Sequence, residues 1–130
     1  MANPNIVSVS SIYGESMGEA LTTTVGTDIM TVASNKLIKI NYISVCNDHA
    51  STTTVVTVAI NKADFTSAGI GSGEDNAATI YLASTINLPA DDILVVLDKP
   101  IYLMEGDVLE GGANPATADI FISYEVIDDA

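Results

Sequence analysis

Apolar residues in this chain recur at every second position, in short runs rich in Val, Ile and Thr. Nowhere do they hold the three-and-four spacing of a helix for more than about two turns. Period-two patterning gives each run one face for a core and one for solvent, which is the requirement of a β-strand. Gly, Asn, Asp and Pro punctuate the runs at the intervals expected of turns. The chain therefore predicts an all-β fold of eight to nine strands. With no long helix to cross between parallel neighbours, the strands should pair antiparallel, as a β-sandwich of jelly-roll-like or immunoglobulin-like type. At 130 residues the expectation is one such domain over residues 1–130.

Strands are expected at 6–13, closed by Gly14, and at 21–25 and 29–33, a hairpin around Gly26, Thr27 and Asp28. The segment 16–20 reads as a loop or short turn. Residues 37–46 form the clearest strand, with Ile38, Ile40, Tyr42, Ser44 and Cys46 on one face and Lys39 and Asn41 on the other. Further strands are expected at 53–61, 79–88, 93–97, 101–104 with 108–109, and 120–127. The unbroken run Ile93-Leu-Val-Val-Leu97 predicts a strand buried on both faces. Segment 111–115 reads as a loop, and 62–78, with Gly69, Gly71, Gly73, Glu74 and Asp75, as a flexible surface loop.

Charge narrows the partners. Seventeen acidic residues face four lysines and no arginine, for a net charge of −13. Nucleic-acid affinity comes largely from Lys and Arg neutralising phosphates, so neither DNA nor RNA is an expected partner. Anionic membranes are disfavoured on the same ground, and no apolar stretch reaches the length of a bilayer span. The first residues lack a positive region and an uninterrupted apolar stretch, so no secretory signal is expected.

Chemistry-bearing residues are few. His49, the single histidine, lies in the polar run Asn47-Asp48-His49, where an exposed turn residue is the expectation; no Gly-x-Ser-x-Gly elbow frames a serine nucleophile. Cys46, the single cysteine, ends an apolar alternation and is expected to be a small buried thiol. One Cys and one His do not make a zinc site. The acidic groups at 74–76, 91–92, 105–107 and 128–129 do not match a calcium-binding loop, although a cation bridging loops or subunits stays open. Sugar clefts usually carry aromatic platforms, whereas this chain has no tryptophan, five tyrosines and two phenylalanines. The glycines at 69, 71 and 73 are followed by acidic residues that would repel a phosphate. No catalytic residue, no cofactor and no metal ligand is assigned, and no enzymatic activity is expected.

Five blocks in consistent order carry a resemblance. They are MANPNIVSVSSIYG at 1–14, ASNKLIKIN at 33–41 leading into ISV at 43–45, ASTINLPAD at 83–91 with LVV at 94–96, PIYLMEGD at 100–107, and SYE at 123–125. Together they resemble a family of small virion structural proteins of marine tailed phages, including cyanophages. The chain departs from that pattern in its glycine-rich and acidic insertion at 66–78. The resemblance implies a component of the virion, assembled in the host cytoplasm, whose work is adhesion between proteins. A capsid decoration (cement) subunit is expected, contacting the major capsid protein or other virion proteins, as a homo-oligomer and by its location a homotrimer. The alternatives are a neck or tail accessory or fibre subunit, and a receptor- or glycan-binding module. Expected interface residues are Ile6 and Val7, in an N-terminal strand or arm over 1–12 that pairs with a neighbour's sheet, and Met17, Leu21, Ile29 and Met30, for which a place in the core is the competing explanation.

Overall fold

A computed structural model describes residues 10–63 and 79–128 of the chain. Among the described residues there are nine strands: β1 Ser11–Ala20, β2 Asp28–Thr31, β3 Lys36–Asn47, β4 Thr54–Asn61, β5 Thr79–Leu88, β6 Asp92–Leu97, β7 Ile101–Leu103, β8 Val108–Asn114 and β9 Ala118–Asp128. No helix occurs among the described residues. The strands form two antiparallel sheets. The first runs β1-β9-β3-β6, with β7 also pairing β3; the second runs β2-β8-β4-β5.

β6 meets β3 over Ile43 to Asn47 and β7 meets it over Ile38 to Ile40, so the two short strands share one position beside a long one. Counted that way, each sheet has four positions, and successive strands cross between sheets except at β4–β5 and β6–β7. This is the strand order of a jelly roll, and the all-β antiparallel sandwich expected from the patterning is what the chain forms.

One hydrophobic cluster draws on both sheets. Ile38, Ile40, Ile43 and Val45 of β3 and Ile120 and Ile122 of β9 face Val56, Val58 and Ile60 of β4 and Leu109 of β8. Completely buried side chains of this kind each contribute about 1.5–3 kcal/mol of gross burial energy, an upper figure against a compact unfolded chain. At one end Asn47 is fully buried, and its Nδ2 donates to the carbonyls of Thr52, Leu88 and Pro89 at 2.8, 3.1 and 3.1 Å, holding the β3–β4 loop against the β5–β6 turn. Elsewhere Asp107, also fully buried, accepts from Lys62 Nζ at 2.6 Å and from the backbone N–H groups of Ala63 and Met104 at 2.9 Å.

Several boundaries differ from the expectation, each for a physical reason. β1 begins at Ser11, runs through Gly14 and includes 16–20, because ten consecutive residues find partners on β9. Segment 21–27 is not a strand: the carbonyls of Thr22 and Thr27 instead accept from Ala113 and Gly111, laying the loop along the edge of β8. Segment 111–114 is strand, not loop, because it pairs with residues 55–58 of β4, and glycine at 111 and 112 leaves room for neighbouring atoms that would crowd a Cβ. In β3 the register against β9 shifts between Ile40 and Tyr42. That bulge at Asn41 inverts the alternation, so Ile43, Val45 and Asn47 take the inward side and Cys46 comes out exposed instead of buried. β6 lies at a sheet edge and shows Ile93 and Val95 to solvent, so it is not buried on both faces. Residues 6–9, most of the loop expected at 62–78, and the acidic pair 74–75 lie outside the described residues.

Candidate functional site

The outward face of the first sheet is built by registers that line up across four strands. Gly18 of β1 pairs with Phe121 of β9, Phe121 with Ser44 of β3, and Ser44 with Val95 of β6. The next row is Ala20, Asp119, Cys46 and Ile93. Directly paired residues in antiparallel strands share a face, so these eight residues occupy one patch. Phe121, Val95 and Ile93 are 47%, 47% and 53% exposed, large apolar groups standing among small ones. Beside Phe121 lies a depression of about 400 Å³ whose walls include Gly18, Ala20, Ser44, Cys46 and Asp119. The Phe121 ring also leans over Gly18, where a Cβ would lie 3.8 Å from its Cδ2.

A second depression, about 420 Å³, is lined by Gly14, Ser16, Asn41 and Ser123 with Glu15, Tyr124 and Glu125. There the Tyr124 hydroxyl donates to Glu15 Oε2 at 2.9 Å. Partial burial, then the hydrogen bond to Glu15 and the negative charge of that carboxylate, push the Tyr124 hydroxyl above its ordinary pKa. A phenol held neutral is a hydrogen-bond donor and not a base. Both depressions are shallow recesses in a sheet surface, suited to contact with another macromolecule.

The groups that could carry chemistry do not converge here. His49 is exposed, and its Nδ1 accepts the backbone N–H groups of Ser51 and Thr52 at 3.2 and 3.0 Å, which makes it the organiser of its own turn. Among the described residues, no three of the His, Cys, Asp and Glu side chains are grouped so as to hold a metal ion. Lys36, Lys39 and Lys62 pair with Asp128, Glu125 and Asp107 at 2.6, 3.9 and 2.6 Å. Little positive charge is left to offset the remaining carboxylates, and the surface is anionic.

The residues expected at an interface are dispersed. Leu21 and Met30 are buried in the central cluster, and Met17 and Ile29 are half-buried against it, so for these four the competing explanation of core packing describes their place. Ile6 and Val7 lie outside the described residues. The patch residues Phe121, Ile93 and Val95 went unrecognised because alternation marks which residues share a face and not whether another layer covers it. Comparison of the chain with protein-family models, with curated proteins and with solved structures finds no match in any of the three.

Proposed function

We propose that this chain is a structural subunit of a phage particle, a capsid decoration (cement) protein that binds neighbouring capsid subunits from outside as a homotrimer. It works through protein–protein contacts and has no enzymatic activity. The observation that carries the reading is the outward patch of Phe121, Val95 and Ile93, large apolar side chains left uncovered on a sheet whose β3 and β9 strands pack their inner side chains into the core. An uncovered apolar patch framed by polar residues is the usual mark of a protein contact surface. The jelly-roll order supports the reading by analogy only, since that fold serves capsid and lectin domains alike. The sequence blocks that resemble virion proteins point the same way.

A density map of the intact particle tests the proposal. A decoration subunit is expected on the head in proportion to the major capsid protein, whereas a small fixed number of copies at the neck or tail would reject it. In the isolated protein, Phe121→Asp should abolish attachment to undecorated heads and leave the melting temperature within a few degrees, because the ring is outside the core. Attachment at wild-type strength would remove the patch from the interface.

A further inference from the structure

Among the described residues, β1 is a ten-residue strand with β9 on one side and no strand on the other. Its register with β9 is unbroken from Ser11 to Ala20, and just beyond it the N–H of Leu21 donates to the carbonyl of Ala118. In an antiparallel pair the hydrogen-bonding residues alternate, so the odd-numbered residues turn their backbone groups toward β9. Ile12, Gly14, Ser16, Gly18 and Ala20 then present N–H and C=O groups along the open edge. Four of these five have the smallest side chains, so nothing bulky guards the edge. Proline, lysine and bulges are missing from β1, so Glu15 and Glu19 are the charged side chains that guard this edge.

Charge selects what can pair there. The odd-numbered side chains share the other side of the strand, where exposed Glu15 and Glu19 flank half-buried Met17. The two carboxylates lie about 13 Å apart along the strand. No lysine lies in β1, and the net charge of the chain is −13. A second copy of β1 would bring its own glutamates to the same edge, and like charges across a pair are destabilising. We infer that the open edge of β1 takes an extended segment of another protein with the pattern basic-x-apolar-x-basic, its basic residues facing Glu15 and Glu19 and its apolar residue facing Met17. Main-chain hydrogen bonds to the even-numbered residues supply affinity, and the two carboxylates supply selection. The inference rests on the adhesive role proposed above and gives its partner a chemistry.

The test uses the full chain and two synthetic ten-residue peptides of Val and Thr, one with lysines four residues apart and the other with glutamates in their place. Amide hydrogen exchange is read by NMR. The lysine peptide is expected to slow exchange at Gly14, Ser16, Gly18 and Ala20, and the glutamate peptide to leave it unchanged. The double variant Glu15→Gln, Glu19→Gln should weaken binding of the lysine peptide roughly three- to tenfold. Ser16→Pro removes an outward donor without touching the β9 ladder, and should abolish binding while the wild-type spectrum persists elsewhere. Three results would each overturn the inference: no protection by the lysine peptide, equal protection by the glutamate peptide, or protection of the same amides by self-association in sedimentation runs without peptide. The peptide assay reads the edge and the particle map reads the location, so failure of one is distinguishable from failure of the other.

Discussion

A methyl group added at Gly112 would lie 2.8 Å from the carbonyl oxygen of Thr24 and 2.9 Å from the Cα of Val25, all backbone that cannot rotate aside. Gly112→Ala is therefore expected to destabilise the fold by about 1–3 kcal/mol in chemical denaturation. At Gly14 nothing lies within 4 Å of the same methyl position, and Gly14→Ala should be neutral or slightly stabilising. Equal losses at both sites would show that the 21–27 loop does not rest on β8. Tyr124 gives the second residue-scale prediction. Its hydroxyl holds a proton more tightly folded than unfolded, through burial first and then through Glu15. The stability gained is fully present below the ordinary tyrosine pKa of about 10 and is lost as pH rises through the raised folded value. Phenolate absorbance should show one tyrosine titrating late, and Glu15→Gln should bring it earlier by removing the charge. A late phase unchanged in that variant would leave burial as its whole cause.

At the scale of elements, Asp107 ties the end of β4 to the β7–β8 turn, where Gly106 supplies a φ of 86°. Asp107→Ala would leave Lys62 without its partner in a largely buried site, together with two unpaired backbone donors, and should cost about 3 kcal/mol or more. Lys39→Ala breaks only a longer pair at 3.9 Å near the surface, and its loss should stay below about 1 kcal/mol. Thermal or urea unfolding of both variants checks the contrast, and similar losses would refute it. The tie at Asp107 was not legible in the sequence, where 105–107 stands only as an acidic break between two expected strands, because Lys62 lies 45 residues away. The strands β3, β4, β5 and β9 were legible from alternation to within one or two residues, and so was the antiparallel sandwich. What alternation concealed were its own interruptions: the bulge at Asn41 moves Cys46 outward, and the register shift of β5 puts Thr85 at a φ of 50° while its N–H turns to Thr57 Oγ1 at 3.1 Å. Glycine misled twice in the same direction, since Gly14 does not end β1 and Gly111 and Gly112 do not form a loop. The patch was half legible: Ile93 and Val95 were recognised as strand, but their exposure depends on which sheet face another layer covers, which is a property of the tertiary fold.

Across the whole molecule, seventeen acidic residues stand against four lysines, three of which form ion pairs among the described residues. Net self-repulsion opposes the compact state more than the expanded one, so added salt should stabilise this protein by screening. Raising sodium chloride from about 10 mM to about 150 mM shortens the screening length from about 30 Å to about 8 Å, and the melting temperature is expected to rise by a few degrees. Adhesion should respond with the opposite sign. If a cationic strand docks on β1 beside Glu15 and Glu19, the same salt weakens attraction between the partners. Contact at Phe121, Val95 and Ile93, being apolar, should be nearly indifferent to salt over this range. Melting curves and attachment measured across one salt series therefore separate three contributions in a single sample. A melting temperature that falls with salt would show that the paired lysines outweigh the repulsion, and that the anionic surface does not strain the fold.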